Sequence, residues 1–120
     1  MRTHSGPRFG HLSPADLSLF TDRYELTMMR GYREAEQTPK STFSLFFRSL
    51  PTNRGYVIAA GLEQAIAYVQ DLTFGADQLA HLRDEGFPEA FLEYLAAFEF
   101  TGDIRAVPEG TAVFPNEPLL

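Results

Sequence analysis

The spacing of apolar residues predicts an α+β domain. Three observations carry that reading. Leu17, Phe20, Tyr24, Met28 and Gly31 recur at steps of three and four, which is one face of a helix. Ser41 to Leu50 has the two-residue period of a strand, with Phe43, Leu45 and Phe47 on one face and Thr42, Ser44, Phe46 and Arg48 on the other. From Leu62 to Phe98 helix signals follow one another, and two short strand patterns come after them. Helices and strands therefore fall in separate runs.

Residues 1–16 are expected to form a mobile tail, and residues 17–120 the domain. Ser13-Pro14-Ala15-Asp16 has the form of a helix start, which predicts a short turn over 14–18. The main helix is expected from about Asp22 to Gly31. Asp22 stands near its start, where the positive end of the dipole favours a carboxylate, and Thr21 is a second candidate cap. Glu34 to Pro39 is a polar loop. The strand over 41–50 stops at Pro51, and Pro51-Thr52-Asn53-Arg54-Gly55 is a turn.

Tyr56 to Ala59 is a short strand, and Gly61 punctuates it. Leu62, Ala65, Ile66, Val69 and Leu72 then form a helical core stripe. Ala76-Asp77 starts another helix, with Leu79 and Leu82 inward and Gly86 at its end. Pro88, at the first helical position, opens a third, in which Phe91, Leu92, Leu95 and Phe98 are apolar. Ile104 to Val107 and Thr111 to Phe114 read as strands joined by a turn at Pro108-Glu109-Gly110. Residues 116–120 begin a further strand pattern that nothing closes, so the chain is expected to be truncated at that end.

Composition excludes several classes. The chain has 120 residues, 44% of them hydrophobic, which is enough for a core and unlike a disordered segment. It has no cysteine, so disulfides and thiolate metal sites are absent, which fits a cytoplasmic protein. The first residues hold no apolar stretch of the secretory kind, and no run is long enough to span a bilayer. The net charge of −6 argues against non-specific nucleic-acid binding. Residues 1–54 carry a net +3 and residues 55–120 a net −9, so an anionic ligand belongs with the first half.

His4, His11 and His81 are isolated, and no metal site is expected from this chain. There is no Gly-x-Ser-x-Gly and no phosphate-binding loop of the nucleotide-triphosphatase kind. The rhythm of Val107 to Leu119 is that of small β-barrel carriers of biotin or lipoate. Such a carrier needs a modifiable lysine at a hairpin, and the one lysine, Lys40, lies far away in sequence. What remains is a constellation. A tyrosine beside an aspartate, with arginines nearby, can clamp a flat anionic ring by stacking and by a bidentate guanidinium. Two readings of Tyr24 stand together, a ligand-stacking ring and a core tyrosine. Two also stand for Arg48, a ligand contact and an exposed side chain lying over an aromatic.

The chain also resembles a known family. Thr21-Asp22-x-Tyr24-Glu25-Leu26-Thr27-Met28, Phe46-Phe47-Arg48-x-Leu50-Pro51 and Gly55-Tyr56-x-x-Ala59-Ala60-Gly61-Leu62-Glu63 are similar to the N-terminal part of nicotinate phosphoribosyltransferases. Phe100-Thr101-Gly102-Asp103, Ala106-Val107-Pro108-Glu109-Gly110-Thr111 and Phe114-Pro115-x-Glu117-Pro118-Leu119-Leu120 follow in the same order. The resemblance implies the N-terminal α/β sandwich domain of a type II phosphoribosyltransferase, without the α/β barrel domain. It implies formation of nicotinate mononucleotide and pyrophosphate from nicotinate and phosphoribosyl pyrophosphate, coupled to ATP hydrolysis, in NAD biosynthesis.

On that resemblance, Asp22 and Tyr24 approach the pyridine ring within a homodimer whose sites are shared between subunits. Arg48 meets the phosphoribosyl pyrophosphate. ATP and magnesium are expected of the full enzyme and not of this chain alone, in which no catalytic residue is expected. Two positions depart from the family pattern: Arg23 stands where an apolar residue is common, and Ser49 where a lysine is common. The chain by itself is expected to be inactive. Two alternatives stand beside this: a non-catalytic domain that binds a small ligand or docks on a complete subunit, and a non-functional remnant of a broken gene.

Overall fold

A computed structural model describes residues 17–37 and 39–120. The predicted tail over 1–16, with most of the predicted turn over 14–18, lies outside them. The described elements are α1 (Arg23–Glu34), β1 (Val57–Ile58), α2 (Leu62–Asp71), α3 (Ala76–Asp84), α4 (Glu89–Ala96) and β2 (Ala112–Val113).

The core gathers on α3 and α4. Leu82 of α3 and Phe91, Leu92 and Leu95 of α4 are buried together with Phe74, Phe87 and Leu26. Leu95 is wholly inaccessible. Aromatic rings tie the cluster together: Phe87 stacks on Phe91 at 5.6 Å, and Phe74 meets Phe98 edge-on at 6.1 Å. Both arrangements suit the ring quadrupole.

The α3–α4 junction follows from local sequence. Gly86 has φ of 87°, a left-handed conformation that only glycine adopts without cost. It lets the Gly86 N–H donate to Arg83 O and the Phe87 N–H to Leu82 O, each at 3.0 Å. These bonds use up carbonyls that a helix end leaves orphaned, and Phe87 and Leu82 add the apolar contact typical of such an end. Pro88 caps α4 and the helix starts at Glu89, one residue later than the sequence predicts.

Gly31 does not end α1. The helix runs to Glu34, and Glu36, with φ of 52°, turns the chain away. An Arg30–Glu34 pair at 2.6 Å, one turn apart, supports the added turn.

The predicted strand over 41–50 is extended chain that never becomes a regular ladder. Leu45 N donates to Leu120 O, Leu119 N to Leu45 O and Asn116 N to Phe47 O, at 2.8–3.0 Å. Its partner segment holds Pro115 and Pro118, which lack an N–H, and Asn116 with φ of 65°. A continuous ladder cannot form against such a segment. The apolar face expected of 41–50 is only partly covered: Phe43 is 88% exposed and Leu45 is also exposed, while Phe47 is half-buried.

β1 and β2 pair antiparallel, Val57 with Val113 and Ile58 with Ala112. Ala59 N donates to Thr111 O and Gly110 N to Ala59 O, both at 2.9 Å, which prolongs the pairing by a residue. Of the predicted strand over 104–107, Val107 donates one backbone bond, to Leu119 O. The α2 stripe is half-buried, and Ile66 is exposed. Among the described residues, no helix is long and apolar enough to cross a membrane.

Candidate functional site

The sequence places its candidate chemistry at the start of α1, and the structure leaves that chemistry uncommitted. Asp22 is the N-cap residue, in extended backbone (φ −76°, ψ 140°), yet its side chain makes no capping hydrogen bond. The Thr21 hydroxyl instead donates to the Glu25 carboxylate one turn on. Among the described residues, no hydrogen bond or ion pair engages the Asp22 carboxylate. It stands at the positive end of the helix dipole, free to accept.

Tyr24 is 59% exposed. It belongs to a stripe of large apolar side chains, Phe20, Tyr24, Met28 and Tyr32, spaced four residues apart and all exposed. Of the face read from the sequence, Tyr24, Met28 and Gly31 lie on α1 and are exposed, whereas Leu17 and Phe20 precede the helix, which starts at Arg23. The inward face carries Leu26, with Met29 packed against the cluster. Leu19, Phe20, Thr21, Asp22 and Glu25 line an open depression of ≈ 430 Å³ at the helix start.

Arg48 is exposed on the extended 41–50 segment, one residue past the bond from Asn116 N to Phe47 O. Among the described residues its guanidinium has no ion pair, hydrogen bond or aromatic ring. Asp22 and Tyr24 are brought together by a single helix end. No hydrogen bond, ion pair or cation–ring contact joins Arg48 to either of them.

Three contacts escaped the sequence reading. The Glu109 carboxylate accepts the backbone N–H groups of Gly61 and Leu62, each at 2.7 Å, at the N-terminus of α2. Gly61, with φ of 100°, has no side chain to cap that helix. The missing cap residue is a local signal that some acceptor must arrive, but it does not say from where. Arg23 reaches Glu85, and Arg33 lies 4.4 Å from the centre of the Tyr94 ring.

Two titrating groups are perturbed by an ion pair. Arg83 donates to Glu89 from Nε at 2.9 Å and from Nη2 at 2.6 Å. That hydrogen bonding holds the Glu89 carboxyl below its usual range and raises the Arg83 guanidinium. On α2, burial pushes the Tyr68 phenol up. Among the described residues, no group of three or more His, Cys, Asp or Glu side chains converges as a metal-ion cage.

Comparison with known proteins bears on this arrangement. Residues 19–120 match the family model described as the nicotinate phosphoribosyltransferase N-terminal domain. The chain is 44% identical over 104 residues to nicotinate phosphoribosyltransferase pncB2 of Mycobacterium tuberculosis, covering 86% of this chain and 22% of that protein. It is 44% identical over 106 residues to the nicotinate phosphoribosyltransferase of Bacillus subtilis, covering 87% and 22%. It is also 35% identical over 115 residues to nicotinate phosphoribosyltransferase 1 of Arabidopsis thaliana, covering 92% and 21%. The chain therefore spans about a fifth of the length of the relatives it matches.

Proposed function

Since the chain belongs to the nicotinate phosphoribosyltransferase family through the N-terminal domain of that enzyme, we propose that it supplies one wall of a nicotinate-binding site. The reaction joins the pyridine nitrogen to the anomeric carbon of phosphoribosyl pyrophosphate. The N–C bond forms as the C–O bond to pyrophosphate breaks, and the bonding pair leaves with the pyrophosphate. The product is nicotinate mononucleotide, an intermediate of NAD biosynthesis.

The observation that carries this reading is the state of Asp22 and Tyr24. They stand together at one helix end, exposed and uncommitted, inside the matched region. Tyr24 stacks on the pyridine ring and holds it in line, a positioning role. Asp22 accepts a hydrogen bond near the same ring. Arg48 offsets charge on the phosphoribosyl pyrophosphate, a preorganised electrostatic role.

The finer architecture belongs to the same proposal. The chain is the N-terminal part of an α/β sandwich, and an α/β barrel completes the enzyme. The site is shared across a homodimer in the cytoplasm, and the outward stripe of α1 faces the second subunit. ATP and magnesium are held by parts of the enzyme outside this chain. The chain alone is inactive.

The test is Tyr24→Ala in a complete enzyme carrying this domain. The KM for nicotinate is expected to rise by about tenfold or more, ~1.4 kcal/mol of lost binding. An unchanged KM together with an unchanged kcat removes the stacking role. Saturable nicotinate binding by the isolated chain, without turnover in the complete enzyme, would favour a non-catalytic binding domain.

A further inference from the structure

The face of α1 that turns inward is the less apolar of its two faces. Leu26 is buried there and Met29 packs against the cluster, flanked by Arg23, Arg30 and Arg33, of which Arg23 and Arg33 are exposed. Tyr24, Met28 and Tyr32 form the outward stripe, and Phe20 is exposed just before the helix. Apolar attraction has no direction and scales with the area removed from water. That force acts on both faces of α1: it holds Leu26 and Met29 against the α3–α4 cluster, and it would also draw in the aromatic stripe. Contacts with direction add to the burial of Leu26 in choosing between the two rolls.

We propose that Arg23 and Arg33 are positioning residues that clamp α1 at both ends and fix its rotation, so that Tyr24 points outward. Arg23 grips the α3–α4 junction. Its Nη2 donates to the carbonyl of Glu85 at 3.0 Å, and its Nη1 lies 3.3 Å from the Glu85 carboxylate. Its guanidinium is 5.9 Å from the centre of the buried Phe87 ring. Glu85 is the C-cap residue of α3, so Arg23 satisfies a carbonyl at the negative end of that helix. Arg33 lies over Tyr94 of α4 at 4.4 Å.

The two grips are ten residues apart, about 15 Å along the helix axis. One grip added to the packing of Leu26 would leave α1 able to pivot about it, whereas two at this separation define one orientation. Tyr24 follows Arg23 directly, about 100° around the axis, so fixing Arg23 fixes the direction of the tyrosine. Arginine at position 23 thereby acquires a physical reason.

The consequence for nicotinate rests on the function proposed above, but the clamp can be tested without it. Met28 lies on the outward face and Met29 packs against the core, so adjacent residues report the roll. In the chain itself, mild peroxide should oxidise Met28 faster than Met29, as read by mass spectrometry of the peptides. In Arg23→Ala/Arg33→Ala the ratio of the two rates is expected to fall by about threefold or more, since thioether oxidation follows exposure. Arg23→Lys/Arg33→Lys, which keeps both cations, should restore part of it. If the double alanine variant does not fold, Tyr94→Leu, which removes one grip from the other side, is expected to lower the ratio by itself. A ratio that stays within about twofold of the parent in the folded variants overturns the clamp.

In a complete enzyme, Arg23→Ala/Arg33→Ala should raise the nicotinate KM by about fivefold and leave kcat within about twofold. A lowered methionine ratio with no change in KM would leave the clamp standing and remove the nicotinate reading. An unchanged ratio with a working Tyr24 would do the reverse.

Discussion

The α3–α4 pair and α1 use apolar residues in opposite ways. On α4, Phe91, Leu92 and Leu95 all vanish into one cluster with Leu82 and Phe87. On α1, Tyr24, Met28 and Tyr32 stay in the open, as does Phe20 just before the helix, at 85% exposure. Burial holds the first region. On α1 burial is confined to Leu26 and Met29, and directed contacts add to it: two arginines, each reaching an element far along the chain. The start of α2 belongs with α1, since Glu109 holds it through two backbone N–H groups. A region held by burial spends its apolar side chains on its own fold. A region held by polar grips leaves them available to something else.

The comparison breaks most readily in the core. Leu95→Ala should destabilise the chain by about 3 kcal/mol, within the usual span for a buried leucine. Met28→Ala should cost less than ~0.5 kcal/mol, as expected of a surface position. Urea midpoints of the two variants check both values, and equal losses would mean that the stripe of α1 is packed after all.

A smaller effect sharpens the second half of the contrast. Glu109→Ala removes the acceptor at the N-terminus of α2 and should cost about 1 kcal/mol, in the range of a lost helix cap. Glu109→Gln keeps an acceptor oxygen and should lose less. Amide exchange at Gly61 and Leu62 should quicken in the alanine variant, while amides of α4 keep their protection. Uniform loss across both helices would count against a local cap.

The smallest effect concerns the Arg83–Glu89 pair. Pairing with Arg83 lowers the Glu89 carboxyl from its usual 4.5. Its contribution to stability is therefore present above 4.5 and is lost as pH falls through the depressed value. The raised Arg83 guanidinium acts in the other direction, with a contribution that is present below its ordinary value and disappears only as pH rises through the raised one. Between pH 6 and pH 3, thermal unfolding should bring the parent chain and Glu89→Gln together as the Glu89 carboxylate protonates. Both side chains are exposed, so the gap is small at every pH. A gap that widens toward pH 3 would contradict the assignment.

Much of this is legible in the sequence. The periodicity of Leu79 and Leu82, and of Phe91, Leu92 and Leu95, marks the helices. Gly86 and Pro88 mark the break between them, because a left-handed glycine and a residue without an N–H act within a few positions of themselves. Asp22 at the start of α1 follows from the same kind of local rule. The strand over 41–50 is harder, because its alternation says nothing about its partner. Residues 115–118 hold two prolines and cannot complete a ladder, so the extended segment keeps only scattered bonds.

By itself, then, the sequence determined which segments are helical, where three of them begin or end, and that α1 carries a stripe on one side. Tertiary structure decided which side of α1 faces the core and what closes the start of α2. The deciding contacts join residues 62 positions apart for Arg23 and Glu85, and 47 and 48 apart for Glu109 with Leu62 and Gly61. Periodicity fixes the phase of a stripe relative to its own helix. The phase relative to the rest of the molecule is set by the burial of Leu26 together with directed hydrogen bonds, ion pairs and cation–ring contacts, whose partners are brought together only once the chain has folded.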